Sequence, residues 1–239
     1  MEYYLCVLDF EANCWEGSIN QKQMEIIEWP SVLYKITEPV TDQNTDQNTE
    51  QPITKPLIEF ISEFQQYVKP TICPEITKFC TELTGITQEM VNSGDTFDIV
   101  YANHIKWLSE NVPQNANLII ATCGRWDLET QLLRELKMKN IDLHSYYKSF
   151  VNVKYEFEHR YKTKAYGMRT MLDTLKLTLD GRHHSGIDDT KNIAKIMLKI
   201  INDGHKYNDY RHIHIKLEKD KKKDKKTKAI IKQNNEITK

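Results

Sequence analysis

Tyr3-Tyr-Leu-Cys-Val-Leu-Asp-Phe-Glu-Ala12 is the stretch on which the reading of the fold turns. From Tyr3 to Phe10 the residues alternate in two sets, Tyr3, Leu5 and Val7 on one face and Tyr4, Cys6, Leu8 and Phe10 on the other, and both sets are apolar. A strand with two apolar faces belongs inside a parallel or mixed sheet covered on both sides. Asp9 and Glu11 interrupt the pattern two residues apart, so on an extended segment both carboxylates leave the same side. At the end of an apolar strand such a pair repels and loses hydration, which a cation relieves, and oxygen-only ligands favour Mg2+ or Mn2+ over zinc. By itself the pair reads equally well as a solvated strand end.

Working outward, Ile26 to Ile36 predicts a second strand with Pro30 at an irregular or edge position. Glu38 to Pro56 is rich in Thr, Gln, Asn and Pro and nearly repeats itself in Thr41-Asp-Gln-Asn-Thr-Asp-Gln-Asn-Thr49, as an exposed loop leading to a third strand at Leu57 to Tyr67 would. Thr96 and Asp98 open a helix with the stripe Ile99, Ala102, Ile105 and Leu108, flanked by Trp107. Leu118 to Ala121 and Phe150 to Val153 read as strands; Leu128, Leu132, Leu133 and Leu136, and then Met168, Met171, Leu172 and Leu175, read as helical stripes. A last helix runs from about Asp188 to Ile201 with Ile193, Ile196, Met197 and Ile200 inward and Gly204 past its end. Met24, Tyr67 and Phe79 are expected in the core. The pattern predicts an α/β fold, a mixed sheet of about five strands flanked by helices, with Asp9 and Glu11 on its first strand.

The chain's 239 residues suit one domain with appendages, and 39% hydrophobic against 28% charged residues rules out a wholly disordered chain. No window approaches the roughly 18 apolar residues of a membrane span, and Asp9 and Glu11 fall where a signal peptide needs its apolar run, so an intracellular protein is expected. Five cysteines without a C-x-x-C pair argue against a disulfide framework or a closed zinc site, and His205, His212 and His214 lack an organised acidic partner. No phosphate-binding or dinucleotide glycine loop supports nucleoside triphosphate chemistry. The net charge of -1 conceals an asymmetry, because residues 216 to 239 hold ten lysines against four acids and leave the remainder acidic. That end can lie along phosphates, stay solvated or serve as a nuclear-targeting patch. The expected division is a domain at 1 to 209 and a lysine-rich extension at 210 to 239.

Two further segments bear chemistry. Cys123-Gly-Arg-Trp-Asp127 follows an apolar strand and opens a helix, where Asp127 is either a cap or a site carboxylate. Arg182-His-His-Ser-Gly-Ile-Asp-Asp189 sets imidazoles beside two carboxylates at another helix entry, a grouping that can place a base next to a metal ligand. With Asp9 and Glu11 these parts suit two-metal phosphodiester hydrolysis, the ions roughly 3.5 to 4 Å apart.

Leu8-Asp-Phe-Glu-Ala12, Glu25-Ile-Ile-Glu-Trp-Pro30, Phe79-Cys-Thr-Glu-Leu-Thr-Gly-Ile-Thr87, Cys123-Gly-Arg-Trp-Asp127 and Gly181-Arg-His-His-Ser-Gly-Ile-Asp-Asp-Thr-Lys-Asn192 together resemble the DEDDh exonucleases of the ribonuclease H-like fold. Within that group the chain looks like the catalytic domain of the Eri1, or 3' histone mRNA exonuclease, family, over roughly residues 1 to 209. The resemblance implies Asp9, Glu11, Asp127 and Asp189 as metal carboxylates, His184 as general base, and two Mg2+ ions for which Mn2+ can substitute. Family spacing selects Asp189 over Asp188, which is left to cap or support the helix, and His184 over His183, which stands where proline is usual and is expected on the rim. That departure leaves open an exchange of roles between the two histidines.

Ala12 would admit the backbone of the terminal nucleotide. Leu83, Thr84 and Ile86 resemble the segment packing on terminal bases, with Leu83 or Ile86 as an apolar wedge or simply as core. Trp126 either backs Asp127 or buries its indole, and Arg125 stands where small or acidic residues are common and is a candidate for a phosphate contact. The implied activity is Mg2+-dependent 3'-to-5' exonucleolytic hydrolysis of RNA to nucleoside 5'-monophosphates, by a monomer that takes a free RNA 3' end and no membrane. DNA offers the same scissile phosphate, so a DNA-preferring exonuclease is the alternative, and a noncatalytic RNA-binding scaffold would show the loss of one of the five site residues. The chain offers no room for the SAP domain of some relatives, so histone stem-loop specificity is not expected.

Overall fold

The computed structural model describes residues 1–17, 23–39 and 55–216. The expected loop at 38–56 lies largely, and the lysine-rich stretch after Lys216 wholly, outside the described residues. Five strands of four residues or more form the body of the sheet: β1 (Glu2–Leu8), β3 (Ile26–Thr37), β4 (Leu57–Lys69), β6 (Leu118–Thr122) and β7 (Ser149–Asn152). Three short segments, β2 (Glu11–Ala12), β5 (Asp95–Thr96) and β8 (His212–His214), bring the total to eight, in the order β5-β4-β3-β1-β6-β7-β8 with β2 on β3. The meander β1-β3-β4 is antiparallel, whereas β1, β6 and β7 run parallel. The sheet is therefore mixed, and the two strands whose ends deliver Asp9 and Asp127 are parallel neighbours.

The two apolar faces of β1 serve two cores. Tyr3, Leu5 and Val7 pack with Ile193, Ile196, Met197 and Ile200 of α7 (Gly186–Asn202) and with Met171 and Leu172 of α6 (Met168–Leu175). Tyr4, Cys6, Leu8 and Phe10 pack with Leu128, Leu132 and Leu136 and with α3 (Phe97–Asn111). Ahead of α3 lie α1 (Lys78–Thr84) and α2 (Gln88–Ser93), and between α3 and α6 lie α4 (Leu133–Lys139) and α5 (Val153–Tyr161).

Several expectations shift. The first strand ends at Leu8, so Asp9 lies just beyond it and Glu11 belongs to β2. The cause sits opposite, where β3 pairs Ser31 with Leu8 and Glu28 with Glu11, leaving Pro30, which has no N–H to donate, facing the gap between them. The inward face of α3 is Phe97, Val100, Tyr101, His104 and Leu108; Ile99 and Ala102 point outward. The aromatic set buries more area than the aliphatic one, and His104 is accommodated because its ring nitrogens bond the Ser31 hydroxyl at 2.8 Å and the Tyr147 hydroxyl at 2.6 Å. Phe79 is exposed, and Met24 and Tyr67 are half-buried. Val153 opens α5 instead of closing β7. The sheet also reaches past residue 209, since His212–His214 pairs with β7.

Candidate active site

Four carboxylates converge at one end of the sheet, delivered by three local devices. Phe10 turns into the core against Trp29, their rings 4.5 Å apart, and this fixes Asp9 and Glu11 on the opposite side. Asp127 stands in the first turn of a π-helix, Trp126–Leu132, that follows β6 directly; its Oδ1 accepts the Phe10 N–H at 3.0 Å, tying helix to strand end. Asp189 lies in the first turn of α7, and its Oδ2 accepts the His184 N–H at 2.9 Å. One oxygen each from Asp9, Glu11 and Asp189 falls within 4.8 Å of the others.

Burial first, then the surrounding carboxylates, raise Asp9 well above the usual range; the same causes bring Glu11 to about 9, and burial brings Asp127 to about 6. Asp189 is raised by burial too, and its Oδ1 is buried with no protein partner among the described residues. A bare buried acceptor on a residue that neighbours two other carboxylates fits a divalent cation. Cys123 beside Asp9 is pushed up to about 12, mainly by burial, so it stays a thiol and the donor set is oxygen with imidazole.

His183 and His184 flank Asp189, their ring centroids 3.9 Å apart, and a ring nitrogen of each lies within 4.8 Å of an Asp189 oxygen. Both are half-buried, so His183 is not held away at the rim. Burial, then the charge of His183, hold the His184 imidazole below its ordinary pKa, which keeps it neutral and able to accept a proton. His184 adopts a φ of 65°, a left-handed backbone rare outside glycine, steadied by the bond from its N–H to Asp189. Asp188 accepts the Arg182 N–H at 2.9 Å and so shapes the loop that presents the histidines.

Among the residues expected at the substrate, Ala12 is buried on β2 beneath the Cys80 thiol. Thr84 and Ile86 turn inward: the Thr84 hydroxyl donates to the Cys80 carbonyl at 2.8 Å, and Ile86 packs with Ile27, Cys80 and Val91. Ile86 is thus held as core by its fit under the α1–α2 turn, which leaves Leu83, half-buried, as the apolar side chain available for a wedge. Trp126 is 37% exposed, and so its indole is not buried. Arg125 is exposed and its guanidinium engages Glu129, one contact being 2.8 Å.

Two residues escaped the sequence reading although both lie inside quoted motifs. Glu28 is buried behind Glu11, accepts the Gln65 side-chain N–H at 2.7 Å and the Gly186 N–H, and is raised mainly by burial. A Cβ at Gly186 would stand 2.6 Å from Glu28 Oε2 and 3.1 Å from Glu11 Cγ, so glycine lets α7 close on β2 and β3. Arg182 donates to the carbonyls of Glu82 at 2.6 Å and Leu83 at 3.0 Å, capping α1 from the histidine loop. The signal for Glu28 was an acid amid the apolar run of a central strand.

The RNase T exonuclease family matches residues 6–197 of the chain. The chain belongs to the DEDDh exonuclease family. It is 33% identical over 204 residues to 3'-5' exoribonuclease 1 of Rattus norvegicus, covering 84% of the chain and 54% of the relative. It is 35% identical over 199 residues to ERI1 exoribonuclease 3 of Homo sapiens, covering 82% and 52%. The DEDDh chain thus spans about half the length of these relatives. The nuclease domain of 3'hExo, a DEDDh family member solved bound to rAMP, superposes with a TM-score of 0.72 at 30% identity, over 89% of this chain and 97% of that one. Among the described residues of this DEDDh chain no helix is long and apolar enough to cross a membrane.

Proposed function

We propose that the chain is a 3'-to-5' exoribonuclease releasing nucleoside 5'-monophosphates from RNA 3' ends. The observation that carries this reading is the triad of carboxylate oxygens within 4.8 Å from Asp9, Glu11 and Asp189, with a buried unpartnered oxygen on Asp189 and the His183 and His184 imidazoles beside it. Asp9, Glu11, Asp127 and Asp189 would hold two Mg2+ ions, with Mn2+ as a substitute. When bound, such ions stabilise charge on the attacking and leaving oxygens of a phosphodiester. His184 accepts the proton of the attacking water at the ring nitrogen nearest Asp189, and His183 shares its environment. Ala12 admits the terminal nucleotide, while Leu83 and Trp126 offer apolar faces to its base and Arg125 a donor to phosphate; Thr84 and Ile86 act from beneath by fixing the Leu83 turn.

RNA is chosen over DNA because the relatives named above are exoribonucleases. End-labelled single strands of matched RNA and DNA, labelled at either end and incubated with and without Mg2+, test polarity, chemistry and sugar together. The expected result is stepwise shortening of RNA from its 3' end only with Mg2+. Internal products, shortening from the 5' end or faster loss of DNA each overturn the corresponding part of the proposal.

A further inference from the structure

Arg125, two residues before Asp127, lines a groove of about 420 Å³ between the π-helix with α4 and strand β8. Leu133 and Ile215 give the groove an apolar lining, and Arg125, Glu129, His214 and Lys216 its polar one. His212, His214 and Lys216 alternate onto one side of β8 and are all exposed. Beside the head of the groove, the Tyr155 hydroxyl partners the Arg125 guanidinium while the Arg211 guanidinium lies 5.7 Å from the Tyr155 ring centroid. Tyr155 and its neighbour Lys154 belong to the first turn of α5, which leaves β7 next to the end of β6. A cation, an aromatic ring and a second cation therefore lie in sequence beside the segment that leads into Asp127.

We infer that this groove, with Tyr155 and Arg211 at its head, is the track for single-stranded RNA on the 5' side of the scissile bond. The inference rests on the proposed exonuclease reading for the polarity of the strand. Its physical basis is the pairing of cations for the backbone with an aromatic face for bases, the combination by which single strands are held without sequence preference. Two acids oppose it. Glu156 is buried and engages Arg211 Nε at 3.4 Å, which fixes the guanidinium and leaves its outer face to solvent. Glu129 is partly exposed and occupies Arg125, in an i,i+4 pair of the kind that is weak in water, so a phosphate competes for the same donors. Reading the backbone and the π-faces, the groove discriminates little between bases.

The test measures binding of 5'-fluorescent oligouridylates of about 4 and about 16 nucleotides, with Ca2+ in place of Mg2+, by anisotropy across a salt series. Lys216→Glu combined with His214→Glu alters exposed side chains only, Tyr155→Ala removes the aromatic face, and equal melting temperatures certify the fold. The charge reversal should weaken the long strand about tenfold, flatten its salt dependence by about one unit of slope or more, and leave the short strand within about twofold. Tyr155→Ala should weaken the long strand by a comparable factor, and Glu129→Gln should tighten it. Long-strand affinity unchanged in both groove variants, or equal losses for both lengths, overturns the inference. Cleavage by the parent in Mg2+ is scored alongside: no cleavage with the length-dependent loss intact sinks the exonuclease reading alone, and cleavage without that loss sinks the track alone.

Discussion

Two buried acids three residues apart at the start of β3 meet opposite fates. Glu25 is fully buried, yet its carboxylate accepts the N–H groups of Thr71, Ile72 and Cys73 at 2.8 to 2.9 Å and the Lys139 ammonium at 3.1 Å. Burial alone would raise its pKa, and these donors together bring it below the ordinary value. At the other end of the same segment, Glu28 adjoins the cluster of Glu11, Asp9 and Asp189 with Asp127 beyond, where the few donors only partly offset burial and all five carboxyls are raised. Burial is common to both regions, and the supply of protein donors separates them. Where the chain furnishes enough donors, the acid organises a loop; where it furnishes too few, the acid keeps an affinity for a further positive partner.

The largest expected effect tests the donor-poor region. Asp9→Asn should lower cleavage by about 10³-fold, the scale of several kcal/mol of lost transition-state stabilisation. The same change should raise the melting temperature of the metal-free protein by about 2–8 °C, because a repelling charge is gone. The pH dependence has a definite sign. Asp127 near 6 and Glu11 near 9 hold protons in the folded chain that the unfolded chain releases around 4, so metal-free stability is highest at low pH and declines as pH rises through about 6 and about 9. Melting scans in EDTA from pH 5 to about 9 check this, and saturating Mg2+ should flatten the decline in the parent but not in Asp9→Asn. A metal-free Asp9→Asn protein less stable than its parent would remove the contrast with Glu25.

The second expected effect concerns the base. His184→Ala should reduce single-turnover cleavage at saturating RNA and Mg2+ by about 10²- to 10⁴-fold, whereas His183→Ala stays within about threefold of the parent. Because both rings face Asp189, the measurement has a sharp alternative: the reverse pattern transfers the role to His183.

The smallest effect sharpens the donor-rich side. Glu25→Gln loses the charge that three N–H groups and Lys139 share, and should destabilise the fold by about 2–3 kcal/mol with cleavage per folded molecule unchanged. A urea titration paired with active-fraction kinetics measures it. Loss of cleavage at intact stability would place Glu25 with the site instead.

The sheet and the segments that meet at the candidate site were legible because their signals are local: the double apolar alternation from Tyr3 to Phe10, and short motifs at strand ends and helix starts. What escaped depends on partners distant in the chain. Ile99 and Ala102 make as good a stripe as Val100 and Tyr101 until β3 and Tyr147 supply hydroxyls for His104, 73 and 43 residues away. Nothing near Glu28 reveals that α7 will press Gly186 against it. The early end of β1 was half visible, since Pro30 announced an irregularity without saying which neighbour would break. Ile86 stayed open between wedge and core because Leu-Thr-Gly-Ile reads as a turn, and only the small cluster with Ile27 and Val91 turns it inward.

Arg182 joins the last turn of α1 to the histidine loop through two carbonyls 99 and 100 residues away, and a Cβ at Gly85 would lie 2.3 Å from its guanidinium. The jaw bearing Leu83 and the jaw bearing His183 and His184 are therefore riveted together. The cleft cannot widen between them without breaking both bonds, so the spacing of Leu83 from the two imidazoles is set by one guanidinium.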